Sequence, residues 1–104
     1  MSQLEAIVVR EKFSDTEGIY VAVLLDHFLV GEGETPAQAV SELSLVIQQT
    51  VAANQQQGLE AFSGLAPAPA IFRDRANLSS TSAAVHESGK VGGFDFEING
   101  RQAA

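Results

Sequence analysis

The sequence predicts an α+β fold, in which an antiparallel sheet of three or four strands packs on one main helix in the order β-β-β-α-β. Residues 19–25 are apolar throughout, which is typical of a strand that is buried on both faces. Residues 36–57 place apolar side chains three and four positions apart, as one side of a helix requires. Phe94, Phe96 and Ile98 alternate with polar residues, as in a half-buried strand.

The N-terminal part predicts three strands. Residues 4–13 form the first because they contain the β-branched run Ile7 to Val9, and a turn follows at residues 14–18. Residues 19–25 form the second strand, and residues 28–32 form a short third strand that ends at Gly31 and Gly33. Since one helix covers only one face of the doubly apolar second strand, self-association through its other face is predicted. We interpret the two glycines as a source of backbone freedom before the helix.

The main helix has clear sequence signals at both ends. Thr35 is predicted as its N-cap, Pro36 fits the first helical position, and Gln38 completes a capping box. Gly58 suits the left-handed position that follows a helix. The apolar stripe that is expected to face the sheet consists of Pro36, Ala39, Val40, Leu43, Val46, Ile47, Thr50, Val51 and Asn54.

After the helix the composition changes. Residues 59–71 contain alternating prolines, which favour an extended strap across the module, and residues 71–77 are expected to make a short helical turn. Residues 78–93 are rich in Ser, Ala and Gly and predict a mobile linker or a hairpin. We therefore divide the chain into a module at 1–78 and a flexible linker with a C-terminal strand at 79–104. The predicted anchors of the strap are Phe62, Leu65, Ile71 and Phe72.

Composition narrows the function classes. Thirteen acidic residues against six basic ones give a net charge of −7, and the basic residues are scattered, so nucleic acid is not expected as a direct partner. An acidic surface is compatible with a basic protein partner. The chain has no cysteine, and it shows neither a signal peptide nor an apolar run that could span a membrane. A cytoplasmic protein without a membrane partner is therefore predicted.

No motif for catalysis, metal binding or cofactor binding stands out, so no catalytic residue, metal ligand or cofactor is predicted and the chain is not expected to be an enzyme. Asp26 and His27 are adjacent, and a carboxylate beside an imidazole can act as an acid/base pair. A dipeptide in a turn is the simpler interpretation of these two residues. Glu32 and Glu34 flank Gly33 and are interpreted as a solvated acidic turn.

The stretch from Gly18 to Val40 resembles the N-terminal domain of the HicB-like antitoxin family. The likeness lies in an aromatic-led strand, a short return and the block Gly33-Glu-Thr-Pro-Ala-Gln-Ala39, which opens a long helix. It covers residues 1–58, and residues 65–73 also resemble the Leu-x-Pro-x-Pro tail of standalone members. The chain has no C-terminal helix-turn-helix or ribbon-helix-helix segment, so operator binding is not implied.

The resemblance implies a truncated ribonuclease-H-like module that forms dimers or higher oligomers and masks a small basic RNA-cleaving toxin. The candidate partner-binding residues are Asp26 and His27 at the expected turn and Phe28 at the start of the predicted third strand. Leu45, a lone apolar residue beside Ala52 on the solvent side of the helix, is the fourth.

Two alternatives stay open. A homo-oligomer could bind a small ligand at residues 26–28. A ribonuclease-H-like fold also allows a residual metal-dependent nuclease, for which Glu5, Glu42 and Asp95 are the candidate carboxylates.

Overall fold

A computed structural model describes residues 2–12, 18–78 and 84–102. The predicted turn at residues 14–17, the end of the first predicted strand at Phe13 and the predicted linker at residues 79–83 lie outside this part of the chain. The described elements are β1 (Ser2–Lys12), β2 (Gly18–Leu24), β3 (Val30–Gly33), α1 (Pro36–Gln56), α2 (Ala70–Leu78), β4 (Ala84–Val91) and β5 (Phe94–Gln102).

The predicted α+β class with one main helix is confirmed, but the sheet has five strands rather than three or four, and it is mixed rather than antiparallel. The strand order is β3-β2-β1-β5-β4. β1 lies at the centre, antiparallel to β2 and parallel to β5, while β4 pairs antiparallel with β5. Both helices lie in the crossover from β3 to β4, and the hairpin from β4 then places β5 beside β1 and parallel to it.

The extra strand is β4, which forms a hairpin with β5. Of the two alternatives for residues 78–93, the hairpin is therefore correct over residues 84–93. Gly92 takes a φ of +58° in the turn, a conformation that favours glycine. Glu87 and Gly89 interrupt the apolar pattern of β4, so the sequence of β4 lacks the regular apolar–polar alternation that is typical of a strand. Gly89 is required there because a Cβ at this position would lie 2.6 Å from Cε1 of the Phe96 ring.

The main core lies between α1 and the concave face of the sheet. Both edge strands, β3 and β4, lie close to α1, so the sheet curls around the helix. From α1, the core takes most of the predicted stripe, but it also takes Ser44, which is only 3% exposed and accepts a hydrogen bond from Gln48. The buried residues of this core are Leu4, Ala6, Val8, Ala22, Leu24, Ala39, Val40, Leu43, Ile47, Val51, Phe96 and Ile98.

The outer face of β1 and β2 carries a second apolar cluster. Ile7, Val9 and Val23 are at most 1% exposed, and Leu25 is 6% exposed. Two residues that follow α1 in the chain pack against this cluster: Ala68, in the predicted strap, and Phe72, in α2. The chain therefore packs its own Ala68 and Phe72 on this part of the second face, whereas the prediction of self-association assumes that the chain leaves this face open.

The ends of α1 follow the predicted chemistry. Thr35 accepts a 3.0 Å hydrogen bond from the Gln38 amide, and the Gln38 side chain accepts one from the amide of Glu34, one residue before the cap. At the other end Gly58 has a φ of +71°. The amides of Gly58 and Leu59 bond back to the last turn of the helix, as in a Schellman motif. Neither described helix combines the length and the apolar character needed to cross a membrane.

Gly31 and Gly33 serve close packing rather than backbone freedom, which corrects the prediction. Neither has a positive φ. A Cβ on Gly31 would lie 2.6 Å from the carbonyl oxygen of Ala39, and one on Gly33 would lie 2.6 Å from the amide nitrogen of Ala39. The two glycines therefore let the backbone of β3 touch the first turns of α1.

Candidate functional site

The candidate residues Asp26, His27 and Phe28 lie in the connection between β2 and β3, where the strap crosses the end of the sheet. Of the predicted strap at residues 59–71, residues 65–69 are extended, and we use the name strap for these five residues from here on. Its Ala66 carbonyl accepts a 2.8 Å hydrogen bond from the Phe28 amide, and the Ala68 amide donates a 2.9 Å bond to the Leu25 carbonyl. Pro67 lies between these two residues, and its missing N–H leaves no donor unpaired. The strap is thus bound to the connection by its backbone.

The side chains of the connection also contact the segment that follows α1. His27 stacks on Phe62 with a ring separation of 4.1 Å, and Phe28 lies 6.1 Å from the ring of Phe72. Asp26 accepts a 2.7 Å hydrogen bond from Arg73. Both members of that ion pair are more than half exposed, so the pair contributes at most about 1 kcal/mol.

The predicted anchors of the strap divide into two groups. Phe62 and Phe72 are anchors, but they lie on opposite sides of the sheet, since Phe62 packs on the α1 core and Phe72 on the outer cluster. Leu65 is half-buried. Ile71 is 63% exposed and is therefore no anchor, because α2 turns it away from the sheet.

Leu45 is on a different element from the other three candidates. It lies in the middle of α1 with half of its side chain exposed. Gln48, Ala52 and Gln55 follow it at spacings of three and four, so the four residues share one side of the helix. Gln55 donates a hydrogen bond to the Val91 carbonyl, which shows that this side faces β4.

Charge is distributed unevenly over the molecule. The sequence contains no Lys or Arg between Lys12 and Arg73, so β2 carries no charged side chain, and β3 and α1 carry acidic residues without any lysine or arginine. Glu32 and Glu34 are exposed on and after β3, and Glu42 is exposed in the turn of α1 that packs on Gly31. We call Glu32, Glu34 and Glu42 the acidic edge.

Among the described residues, no basic side chain is paired with the acidic edge. Within the described residues its three carboxylates make no ion pair, whereas Lys90, Arg101 and Arg73 each have an acidic partner elsewhere. The unevenness is visible in the sequence, because the scattered basic residues fall into two stretches, at 10–12 and at 73–101. The positions of the basic residues along the chain therefore indicate the uneven charge distribution, which the number of basic residues alone does not show.

The three carboxylates considered for a nuclease lie on two sides of the sheet. Glu42 belongs to α1, on the concave side, whereas Glu5 and Asp95 point to the outer side. The register pairs Glu5 with Asn99, four residues from Asp95, so Glu5 and Asp95 are separated by about 13 Å along the strands. Each has its own cation, Arg101 beside Glu5 and Lys90 beside Asp95. The structure does not bring the three together.

In the described part of the chain, no group of three His, Asp or Glu side chains is close enough to hold a metal ion. The fold is of the α+β class, with a curled, mixed sheet of five strands around one main helix. Comparisons with protein-family models, with curated proteins and with solved structures find no match for this chain.

Proposed function

We propose that this protein is a non-catalytic protein-binding module that assembles with itself and binds a small basic protein through the acidic edge. The observation that carries the proposal is the charge distribution: Glu32, Glu34 and Glu42 are exposed, and no lysine or arginine lies between Lys12 and Arg73. Opposite potentials on two proteins increase the rate of encounter and select the partner.

The resemblance of residues 18–40 to HicB-like antitoxins supports a more specific form of the proposal. A module of that kind binds a small basic RNA-cleaving toxin and masks it. Two residues of the acidic edge, Glu32 and Glu34, belong to this stretch, and Glu42 lies two residues beyond its end. The proposed role is therefore that of an antitoxin-like protein whose acidic edge opposes the basic surface of a toxin.

The connection at residues 26–28 has a different role in this proposal. Its backbone and side chains contact the strap, Phe62, Phe72 and Arg73 of the same chain. We assign it to holding the strap across the end of the sheet, and we assign partner binding to the acidic edge.

The proposal is tested by capture from the native cell. The tagged protein is recovered at low salt, and the proteins that accompany it are identified and quantified by mass spectrometry. We expect one small basic protein in fixed ratio to this chain, released as the salt concentration rises because salt screens exposed charges. Recovery of the chain with no basic protein, at low salt and from cells that express it, would contradict the proposal.

A further inference from the structure

The outer side of β4 is an open strand edge. β4 is the last strand in the sheet order, and among the described residues no segment pairs with its outer side. It extends over eight residues, contains no proline and has no residue with a positive φ. Such an edge presents a row of unpaired N–H and C=O groups to which another strand can be added.

The opposite edge of the sheet is a poorer template. β3 has only four residues, and its backbone is packed against α1 at Gly31 and Gly33. Glu32 lies within β3 and Glu34 follows it directly, so two copies that paired along β3 would bring like charges together.

The sequence of β4 is self-complementary when two copies run antiparallel with Ser88 opposite Ser88. On the α1 side, Val85 then faces Val91 of the second copy, and Glu87 faces Gly89, which has no side chain. Val85 and Val91 are partly exposed hydrophobic residues at the rim of the core, so each covers the other. Ser88 is the midpoint of this arrangement, and the two Glu87 residues are diagonal neighbours across the edge rather than directly opposed.

The outer side of β4 is compatible with the same register. His86 faces Lys90 of the second copy, and each of these residues already lies 3.8 Å from a carboxylate of its own β5, Glu97 for His86 and Asp95 for Lys90. Lys90 and His86 thus each have an acidic side chain of their own copy beside them before the two edges meet.

The neighbouring side of α1 has a matching character. Gln55 bonds to the Val91 carbonyl, and Leu45, Gln48 and Ala52 lie on the same side of the helix as Gln55. Leu45 is half exposed there. When two β4 strands pair, this side of each helix is directed towards the other copy, which supplies an apolar contact beside the joined sheet.

We infer that two copies of this chain assemble through antiparallel pairing of their β4 strands, centred on Ser88, into one continuous sheet with Leu45 beside the joined edge. This inference deepens the self-association in the proposed function and rests on it. It does not depend on capture of a basic partner, because the acidic edge lies at the other side of the sheet.

Cysteine cross-linking tests the inference, because the chain has no native cysteine. Directly opposed residues in antiparallel strands have Cα atoms about 4.5–5.5 Å apart, within the range of about 4.4–6.8 Å that a disulfide spans. We expect Ser88→Cys to form a covalent dimer under mild oxidation. The matched control is Ser63→Cys, another exposed serine outside the sheet, and it should remain mostly monomeric.

The register is tested by mixing two variants. His86→Cys mixed with Lys90→Cys is expected to give mainly mixed dimers, because these positions face each other, whereas each variant alone should cross-link less.

Light scattering of the wild type should give a mass of two chains, and Leu45→Lys should shift the protein towards one chain. A mass of one chain at micromolar concentration would overturn the inference. A mass of two chains with equal cross-linking at Ser88 and Ser63 would also overturn it, while leaving self-association in place.

Discussion

At the scale of single residues, Gly89 shows most clearly how packing dictates a residue type. It lies opposite Phe96 in the β4–β5 hairpin, and the Phe96 ring is fully buried above it. A Cβ at position 89 would meet Cε1 and Cε2 of that ring at 2.6 and 2.8 Å. Because Phe96 is fully buried in the α1 core, a shift of the ring away from an added Cβ would disturb its neighbours in that core.

We therefore expect Gly89→Ala to lower the free energy of unfolding by about 1–3 kcal/mol, as overpacking of a core does. The measurement is denaturant unfolding followed by circular dichroism. Gly93→Ala is the matched control, since a Cβ there meets nothing within 4 Å and its φ is not positive. Its effect should stay within about 0.5 kcal/mol. Equal stability of the two variants would show that Phe96 is not where the structure has it.

At the scale of elements, the cap of α1 is the best-defined boundary of the chain. The Thr35 hydroxyl accepts a hydrogen bond from the Gln38 amide, which would otherwise have no partner in the first turn of the helix. Thr35→Ala should lower the free energy of unfolding by about 1 kcal/mol, whereas Thr35→Ser should keep most of the stability because its hydroxyl can accept the same bond. Denaturant midpoints of the two variants check this. A loss as large in Thr35→Ser as in Thr35→Ala would argue against the cap.

The strap and α2 give a second prediction at this scale, from two adjacent residues. Phe72 is half-buried against Ile7, Val9, Val23 and Leu25, whereas Ile71 is 63% exposed. Phe72→Ala should cost about 1–3 kcal/mol, below the value for a fully buried phenylalanine. Ile71→Ala should change stability by less than about 0.5 kcal/mol.

Limited proteolysis checks the same pair of variants. We expect Phe72→Ala, but not Ile71→Ala, to make residues 59–78 more susceptible to cleavage, because α2 loses the contact of Phe72 with the outer cluster. Equal protection in both variants would mean that the strap is held by its backbone bonds to Leu25 and Phe28 rather than by Phe72.

The elements that local patterns specify could be predicted from the sequence. The three N-terminal strands, α1 with its caps, the helical turn after the strap and the last strand all follow from periodicity and from turn chemistry. β4 could not be assigned, because Glu87 and Gly89 occupy its inward positions and make it resemble a linker. Its glycine is explained only by Phe96, which lies on the neighbouring strand.

The candidate site was harder to predict because its contacts join distant parts of the chain. Asp26 meets Arg73, and His27 meets Phe62, across separations that no local pattern reports. The covering of the outer face by Ala68 and Phe72 likewise depends on the path of the strap around the end of the sheet. The acidic edge, by contrast, follows from the absence of Lys and Arg between positions 12 and 73.

At the scale of the whole molecule, β1 and β5 connect the two ends of the chain. β5 pairs with β1 from Ser2 to Val8 and adds Phe96 and Ile98, both fully buried, to the core. A chain that ends at residue 83 would lose both side chains and would expose an edge of β1. We expect it to lack a cooperative thermal transition, measured by circular dichroism, because the remaining core is incomplete. A sharp transition in the shortened chain would show that residues 1–83 fold alone.

The central claim at this scale is that the acidic edge binds a basic protein. The most direct test of it is the affinity of the captured basic protein for charge variants of this chain. We expect Glu32→Lys combined with Glu34→Lys to weaken binding by at least about tenfold, which equals about 1.4 kcal/mol. The matched control, Glu60→Lys combined with Asp74→Lys, changes the net charge equally at exposed positions outside the acidic edge and should bind nearly as the wild type does. Equal weakening by both pairs would contradict a partner site at the acidic edge, because net charge alone would then account for binding.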